Sequence, residues 1–236
     1  MRIDIWSDIV CPWCYVGKRR LERALAGFEH RDDVEVTYRS FLLDPGAPET
    51  ATETTAQALA RRYGGGEEQV RRMMGQVRAQ AAEEGLRLRL EDTLHVGTRH
   101  GHRLLHAALA EGGSPLQAAL KEALLDAYFG QAEDVGDPEV LRRVAVAAGL
   151  GGTTADEVLT SDAYSAEVDQ DIAAARRLGA TGVPFAVVDR RYGISGAQPV
   201  EVFRRALEQA CADTHPTLTT VGAPTAEVCG PDGCSD

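Results

Sequence analysis

The sequence lacks an excess of positive charge, which limits the partners that we expect. Its 236 residues include 25 Lys and Arg against 36 Asp and Glu, so the formal net charge is −11. Nucleic-acid binding needs clustered positive charge, whereas the arginines here are spread among acidic residues on helix-like stretches. We therefore expect no nucleic-acid partner and interpret most of these arginines as solvated helix faces.

Long apolar runs, internal repeats and an export signal are also missing. No run of about 18 apolar residues occurs, so we expect neither a membrane span nor a membrane partner. The opening stretch MRIDIWSDIVCPWC lacks the basic, apolar and small-residue segments of a secretory signal, which favours the cytoplasm. Five cysteines in a reducing compartment are metal ligands, redox groups or buried apolar residues rather than a framework of structural disulfides.

The first part of the chain has the pattern of an α/β unit. RIDIW (2–6) and VEVTYRSF (34–41) alternate as strands do, and the stretch between them has helical spacing at 14–25. A helical crossover between neighbouring strands implies that the strands are parallel. The sequence therefore predicts a strand, a helix and a parallel strand.

A long helical segment follows and then gives way to strands again. From about residue 50 to residue 178 the period is helical, with helix starts at Ser114-Pro115 and Asp137-Pro138. PFAVVD (184–189) restores strand character, and a final amphipathic helix is predicted over 199–212. The order of elements indicates a helical insertion within an α/β domain.

Cys11 and Cys14 stand at the start of the first predicted helix. There the unpaired backbone N–H groups and the positive end of the helix dipole stabilise a thiolate more than a thiol. Pro12 suits the first helical turn, and Cys14 lies one turn later, close enough to attack a mixed disulfide on Cys11. We interpret Cys11 as the nucleophile and Cys14 as the resolving thiol, with half of a zinc site or a buried apolar pair as the alternatives.

Several stretches together resemble the DsbA family, in particular its FrnE-like branch. They are SDIVCPWCYVGK, RHGHRLLH, AYFGQAEDVGDPEVL and TGVPFAVVDRRYGISGAQP, spread over nearly the whole chain. The resemblance implies a thioredoxin-like fold, α/β in class, with an all-helical domain inserted between its two halves. The boundaries that we expect are 1–48 and 179–212 for the thioredoxin-like domain, 49–178 for the insertion and 213–236 for a flexible tail.

The resemblance also implies what surrounds the dithiol. The Val183–Pro184 bond would be cis, Pro184 would pack beside the cysteines, and the backbone of Val183 would pair with an extended substrate segment. Pro12 and Trp13 would tune the reduction potential, and Trp13 offers either an apolar substrate contact or a partly exposed cap of the helix. The implied activity is thiol–disulfide exchange, with no cofactor beyond the redox-active cysteines.

The C-terminal stretch VCGPDGCSD contains a second pair, Cys229 and Cys234, around a strong turn signal. A turn of this kind brings two cysteines together, and a flexible linker over 212–228 would span roughly 20–25 Å. We hypothesise that this candidate second redox pair exchanges electrons with Cys11 and Cys14. FrnE-like proteins can carry a C-terminal pair of this spacing. The alternatives are a disordered tail with incidental or metal-scavenging thiols and a zinc site formed jointly by all four cysteines.

Five other residues bear on the interpretation. His102 and His106 share a helix face, but nothing nearby completes a metal site, so we predict no metal. Asp8 is expected to shape the field near Cys11 or to cap the helix, and His102 and Arg103 are expected to border the cleft between the domains. Cys211 is interpreted as a buried apolar residue of the final helix.

Three functions compete. The first is a disulfide oxidoreductase or protein disulfide isomerase that acts on disulfide-containing or thiol-containing proteins, or on small thiols including glutathione. The second is a glutathione-dependent isomerase of the hydroxychromene-carboxylate isomerase type, which usually has serine where Cys11 stands. The third is a non-enzymatic module whose thiols sense oxidation. The intact Cys11-Pro12-Trp13-Cys14 motif favours the first.

Overall fold

Two parallel strands joined by a helix begin the fold. Strand β1 (Arg2–Ser7) pairs with β2 (Glu35–Ser40), with Ile5 opposite Tyr38, and helix α1 (Pro12–Ala26) makes the crossover between them. Proline is favoured in the first turn of a helix because its missing N–H would have no partner there. The predicted strand–helix–strand unit is confirmed.

The computed structural model describes residues 1–64 and 66–214, together with the backbone of residues 229–230 and 233–234. Strand β3 (Phe185–Val188) returns to the sheet antiparallel to β1, and β4 (Tyr192–Ser195) pairs antiparallel with β3. The sheet order is therefore β2-β1-β3-β4. Residues 180 positions apart in the chain thus become neighbours on β1 and β3.

The helices between the two halves of the sheet all lie within the expected insertion. In the described part of the chain these are α2 (Thr55–Tyr63), α3 (Gly66–Glu83), α4 (Arg99–Leu125), α5 (Pro138–Ala147), α6 (Gly152–Thr160) and α7 (Ser165–Arg177), and a π-helical segment (Asp126–Gly130) directly follows α4. Both predicted helix starts are present, since Asp137 caps α5 and non-helical dihedral angles at Gly112 and Gly113 break α4 just before Ser114-Pro115. No helix among the described residues is long and apolar enough to cross a membrane.

The final helix runs further than the sequence predicts. Helix α8 spans Val200–Thr214, so Asp213 and Thr214 belong to it and not to the tail. The Tyr192 hydroxyl donates a hydrogen bond to the Asp213 carboxylate, and the Thr214 hydroxyl donates to the Ala210 carbonyl at 3.0 Å. These bonds hold the last turn. The prediction of a flexible tail concerns residues that lie outside the described part of the chain, apart from the backbone of 229–230 and 233–234.

Helix α1 contributes to two hydrophobic cores. Leu21 and Ala24 pack with the sheet and α8, whereas Tyr15 and Val16 pack into the larger core of the helical insertion. Leu124 of α4 is fully buried in that larger core. The two parts of the molecule therefore meet on opposite faces of the helix that carries the cysteines.

The outer edge of β2 is covered by side chains of the insertion. Gln117 of α4 accepts a hydrogen bond from the Tyr38 N–H at 2.8 Å and donates one to the Tyr38 carbonyl at 2.9 Å. Asp171 of α7 accepts from the Ser40 N–H at 2.9 Å. These side chains therefore form hydrogen bonds with backbone groups of β2 that would be unpaired on an exposed edge strand.

Candidate active site

Cys11 occupies the N-cap of α1, as its place in the sequence predicts. Its backbone is extended, with φ of −99° and ψ of 109°, and Pro12 begins the helix. No side chain caps this helix terminus, so the N–H groups of the first turn face the position of the Cys11 sulfur. Cys11 and Cys14 are both free thiols, and they are 3% and 4% exposed respectively.

The segment before β3 lies against the Cys11 thiol. The Val183–Pro184 peptide bond is cis, as the family resemblance implies, and the Cys11 thiol donates a hydrogen bond to the Val183 carbonyl at 3.6 Å. Pro184, Cys14 and Gly17 line one small cavity under the dithiol. The structure thus brings together the two cysteines and the cis-proline segment 170 residues further along the chain.

Gly17 makes the close approach of Pro184 to α1 feasible. A Cβ atom at Gly17 would lie 3.0 Å from Pro184 Cγ and 3.6 Å from Ala197 Cα. Contacts of 3.0 Å between carbon atoms are shorter than the favourable van der Waals separation. A glycine three residues after the second cysteine is the sequence signal of this approach, and sequence reasoning missed it.

Cys14 has a different environment from that of an exposed thiol. Burial raises its pKa well above the ordinary thiol value, and hydrogen bonding to Cys11 raises it further. The positive charge of Lys121 and a hydrogen bond from the Asp8 backbone N–H act in the opposite direction. Burial therefore disfavours the Cys14 thiolate, and the polar neighbours only partly offset this effect on the pKa.

Asp8 is a buried carboxylate with a complete set of donors. It accepts hydrogen bonds from the N–H groups of Ile9 at 2.7 Å and Leu43 at 2.8 Å, and from the Thr98 hydroxyl at 2.7 Å. His102 Nε2 lies 3.2 Å from the same carboxylate. Burial opposes ionisation of Asp8, but His102 and the other donors outweigh it and lower the pKa. Asp8 does not cap α1, since no side chain makes a cap hydrogen bond there, and its bonds to Ile9 and Leu43 instead fix the loop before Cys11.

The histidines of α4 take part in contacts between elements. His102 pairs with Asp8, and His106 Nε2 lies 3.0 Å from the Asp171 carboxylate and 3.1 Å from the Ser40 hydroxyl. Among the described residues no group of three or more His, Cys, Asp or Glu side chains could hold a metal ion. These histidines therefore serve to join α4 to the sheet and to the active-site loop.

Two expectations need correction. Arg103 does not border the cleft, because its guanidinium is buried and donates to the carbonyls of Val158, Ser161 and Ala163, where it closes the end of α6. Cys211 is only half-buried, at the margin of the core between α8 and the sheet. Both side chains lie on the amphipathic faces of helices, where periodicity alone does not define the depth of burial.

Three predicted site residues remain, namely Trp13 beside Cys11 and the C-terminal pair Cys229 and Cys234. Trp13 is 37% exposed on the first turn of α1. The side chains of Cys229 and Cys234 lie outside the described residues. Their backbones form two short antiparallel strands, β5 (Cys229–Gly230) and β6 (Gly233–Cys234), with Cys229 opposite Cys234.

A cavity of about 460 Å³ opens beside the active-site loop. Its walls include Asp8 and Val10 from that loop, Arg61 and Arg62 from α2, and His95. Its volume falls in the range of small-molecule sites.

Lys121 of α4 is a second feature that sequence reasoning did not find. It is 1% exposed, and its charge interacts with Cys14, Asp8 and Cys11, in that order of strength. A lysine within an amphipathic helical pattern gives no sign of being buried. In the structure, its helix neighbours Leu120, Leu124 and Leu125 are fully buried as well.

Comparison with known proteins agrees with this geometry. A model of the DSBA-like thioredoxin domain matches residues 2–208. The crystal structure of a probable DsbA oxidoreductase from Streptomyces coelicolor has a TM-score of 0.85 and 47% identity, covering 100% of this chain and 99% of that one.

Two more distant structures share the fold. One is 2-hydroxychromene-2-carboxylate isomerase, with a TM-score of 0.66 and 16% identity over 91% of this chain and 98% of that chain. The other is the cytosolic disulfide reductase DsbM from Pseudomonas aeruginosa, solved with GSH, with a TM-score of 0.60 and 20% identity over 89% of this chain and 99% of that one. At these identities the likeness concerns the fold alone.

Proposed function

Since the chain belongs to the family of DSBA-like thioredoxin domains, we propose that it is a thiol–disulfide oxidoreductase which acts through Cys11 and Cys14. The observation that supports this is the position of Cys11 at the N-cap of α1, with its thiol 3.6 Å from the Val183 carbonyl and beside cis-Pro184. A helix N-terminus stabilises the attacking thiolate, and a second thiol one turn away can resolve the intermediate.

The proposed exchange has two steps. The Cys11 thiolate attacks one sulfur of a substrate disulfide, a mixed disulfide forms on Cys11, and the other substrate sulfur leaves as a thiolate. Cys14 then attacks Cys11, forms the Cys11–Cys14 disulfide and releases the second substrate sulfur. Read in reverse, the same steps transfer a disulfide to a substrate. Isomerisation of protein disulfides uses the first step and its reversal on another cysteine pair.

Substrate binding is proposed at the cis-proline segment. Strand β3 begins at Phe185, so the backbone of Val183 lies outside the ladder of the sheet and next to the reacting sulfur. An extended segment that pairs with this backbone would present its disulfide to Cys11 whatever its side chains are. The exposed ring of Trp13 offers an apolar surface at the same helix terminus. Thiol-containing and disulfide-containing proteins are therefore the proposed substrates.

Small thiols are the proposed electron donors. The cavity beside Asp8 and Val10 is large enough for a molecule the size of a tripeptide thiol. Its wall includes Arg61 and Arg62, which pair with Glu53 and Asp44 respectively. We propose glutathione as a substrate of this kind, and we place the exchange in the cytoplasm, where such thiols maintain reducing conditions.

Reduction of insulin disulfides by dithiothreitol tests the proposal. We expect the wild type to accelerate the reaction, Cys11→Ser to abolish the acceleration, and Cys14→Ser to accumulate a mixed disulfide that mass spectrometry detects on Cys11. Cys211→Ser is the matched control, because this cysteine is distant in sequence and packs at the margin of another core, and it should retain full activity.

The outcomes separate the competing functions. If neither the wild type nor Cys14→Ser reacts with insulin, general protein disulfide exchange is excluded. Glutathione binding without disulfide turnover would then favour an isomerase. Oxidation of Cys11 and Cys14 by peroxide without turnover of any disulfide would favour a redox-sensing module.

Cys229 and Cys234 are proposed as a second redox pair that exchanges electrons with Cys11 and Cys14. Directly opposed residues of an antiparallel pair have Cα atoms about 4.5–5.5 Å apart, which lies within the range that a disulfide spans, and the two cysteines are opposed in β5 and β6. The double variant Cys229→Ser/Cys234→Ser should slow reduction of the Cys11–Cys14 disulfide. Unchanged reduction kinetics and peroxide sensitivity would exclude the relay.

A further inference from the structure

The cavity beside the active-site loop combines an apolar lining with a cluster of three hydroxyl groups. The hydroxyl groups belong to Thr55, Thr98 and Tyr128, of which Thr98 and Tyr128 are buried. The apolar lining consists of Val10, Leu43, Ala58, Leu59 and Val96. Because Val10 directly precedes Cys11 in the chain, the cavity lies against the same loop that presents the reactive thiol.

The protons of the three hydroxyl groups are already donated to acceptors of the protein. Tyr128 donates to the Leu94 carbonyl at 2.9 Å. The Thr55 hydroxyl lies 2.7 Å from the Tyr128 oxygen, and since Tyr128 has a single proton, Thr55 is the donor of this bond. Thr98 donates to the Asp8 carboxylate at 2.7 Å. Thr55 and Thr98 therefore retain lone pairs that can accept a hydrogen bond from a ligand, but no proton to donate.

The charged groups of the cavity wall show the same excess of acceptors. The Asp44 carboxylate accepts from His95 Nε2 at 3.1 Å and has further acceptor sites, since a carboxylate offers about four. Arg61 lies 2.5 Å from the Glu53 carboxylate, and Arg62 lies 3.9 Å from that of Asp44. Both arginine side chains are exposed, so their charges are solvated as well as paired. The wall therefore favours a ligand that donates hydrogen bonds over one that accepts them.

We propose, on the basis of the exchange reaction proposed above, that this cavity binds the ammonium group of a small aliphatic amine that also carries a thiol or a disulfide. An ammonium has three donors and no acceptor, which matches a site with acceptors to spare. The methylene groups of the ligand lie against the apolar lining, and its sulfur points toward Cys11. Glutathione meets this requirement through the ammonium of its glutamyl residue, whereas cysteamine meets it without a neighbouring carboxylate.

Cystamine, the disulfide of cysteamine, is reduced in the two steps already described. The Cys11 thiolate attacks one cystamine sulfur, and the other sulfur leaves with the electron pair as cysteamine. Cys14 then attacks Cys11, forms the Cys11–Cys14 disulfide and releases the second cysteamine. The enzyme dithiol is oxidised by two electrons, the cystamine disulfide is reduced by two electrons, and the two thiol protons pass through solvent to the two products.

Binding is measured first with thioethers, which cannot exchange with any cysteine of the protein. The probes are 2-(methylthio)ethylamine, 2-(methylthio)ethanol and 3-(methylthio)propionate, which place an ammonium, a hydroxyl or a carboxylate at the same distance from sulfur. Amide resonances of Val10, Thr55 and Thr98 in the ¹⁵N-labelled wild type report on the cavity. We expect affinity to fall in that order, with the amine bound about tenfold more tightly than the carboxylate, the effect of one hydrogen bond to a charged group.

Thr55→Val tests the accepting oxygen, because valine has a similar shape and no hydroxyl group. This variant should weaken binding of the amine about tenfold and leave binding of the carboxylate unchanged. Thr93→Val is the matched control, since the buried Thr93 hydroxyl donates to the Leu90 carbonyl at 2.9 Å and lies outside the cavity lining. It should leave both affinities unchanged. Asp44→Asn is a second variant in case Thr55→Val does not fold, and it should weaken the amine several-fold.

Arg62→Gln distinguishes an amine site from a carboxylate site by the sign of its effect. Removing this guanidinium takes a positive charge away from Asp44, so the amine should bind up to about threefold more tightly at low ionic strength. A site that recognises carboxylates through Arg62 would instead lose affinity for 3-(methylthio)propionate. That loss, or equal wild-type affinities for the amine and the carboxylate, would overturn the assignment of an amine site.

Turnover is then measured with dithiothreitol as the reductant, after subtraction of the uncatalysed rate for each disulfide. We expect kcat/KM for cystamine to exceed that for 3,3′-dithiodipropionate about tenfold, and Thr55→Val to remove the preference by raising KM for cystamine. Preferential binding of the amine by a protein that reduces no disulfide would contradict the proposed function and leave the amine site intact. Equal turnover of both disulfides with equal affinities would support the proposed function and exclude the amine site.

Discussion

At the scale of single residues, the site depends on small side chains as much as on reactive ones. Cys11 and Cys14 provide the chemistry, but Pro184 reaches them only because Gly17 has no Cβ atom. Asp8, which accepts hydrogen bonds from two backbone N–H groups and two side chains, fixes the loop that presents Cys11. The reactive pair is therefore positioned by neighbours that have no reactivity of their own.

Gly17→Ala tests the importance of this close approach. The added methyl group would lie 3.0 Å from Pro184 Cγ, so we expect the cis-proline segment to shift and insulin reduction to slow several-fold. Alanine gains up to about 1 kcal/mol of helix propensity over glycine, which offsets the unfavourable contact and leaves the unfolding free energy nearly unchanged. The rate of insulin reduction measures the effect on activity, and the midpoint of urea unfolding measures the effect on stability.

Gly75→Ala is the control for helix propensity. Gly75 lies within α3, and nothing lies within 4 Å of an added Cβ atom there. We expect higher stability with unaltered activity. Equal activity of Gly17→Ala and the wild type would show that the spacing between α1 and Pro184 has no bearing on catalysis.

At the scale of elements, α1 is attached to its surroundings by ion pairs on both sides. Glu122 of α4 is 2.5 Å from Lys18 Nζ and accepts a hydrogen bond from the Tyr15 hydroxyl at 2.6 Å. Glu84, which follows α3, is 2.8 Å from both Arg20 and Arg23. These contacts fix the helix that carries the dithiol against the helical insertion.

Glu84→Gln should destabilise the protein by about 1.5–3 kcal/mol at neutral pH, the range for hydrogen bonds to charged groups. Burial opposes ionisation of Glu84, but Arg20 and Arg23 outweigh it and lower the pKa. A lowered pKa means that the stabilisation is complete above the ordinary glutamate pKa of about 4.3 and is lost as pH falls through the folded-state value. The difference in urea midpoint between variant and wild type should therefore shrink from pH 7 to pH 3.

Glu83→Gln provides the comparison, since this neighbour is exposed and accepts a hydrogen bond from Gln80 on the same helix. It should change stability by less than about 0.5 kcal/mol. A midpoint difference for Glu84→Gln that stays constant between pH 7 and pH 3 would contradict the role of its charge.

At the scale of the whole molecule, the sheet and the helical insertion are joined by shared packing and hydrogen bonds rather than by a thin linker. Helix α1 packs into both cores, and Trp6 of β1 donates a hydrogen bond from Nε1 to the Asp171 carbonyl in α7 at 2.8 Å. Trp6 is also 5% exposed. The sheet and the insertion are therefore expected to unfold together.

A two-probe unfolding experiment tests this cooperativity. In a Trp13→Phe background, Trp6 fluorescence reports on the sheet and circular dichroism at 222 nm reports mainly on the helices. Leu124→Ala, a fully buried truncation in the helical core, should lower the unfolding free energy by about 2–5 kcal/mol and shift both transitions equally. Leu178→Ala, which alters a half-exposed side chain, should shift neither. Separate transitions would show that the insertion unfolds on its own.

The sequence allows prediction of the features that depend on local order. Strand alternation, the cap at Asp137 and the position of Cys11 before Pro12 all follow from neighbouring residues. The cis bond at Val183–Pro184 and its contact with Cys11 came from family resemblance, because nothing local specifies a partner 172 residues away. The burial of Lys121 was predicted neither from the local sequence nor from the family resemblance. It depends on how α4 is rotated against α1 and β2, and such tertiary packing leaves no mark on a helical pattern.

The amide of Gln117 has a consequence for association between molecules. By bonding both the N–H and the carbonyl of Tyr38, it occupies the edge of β2 as another strand would. Exposed edges recruit strands from other chains and so lead to aggregation. Gln117→Ala should therefore free one end of the sheet for unwanted pairing between copies. In the wild-type protein, this end of the sheet is closed to strands from other copies.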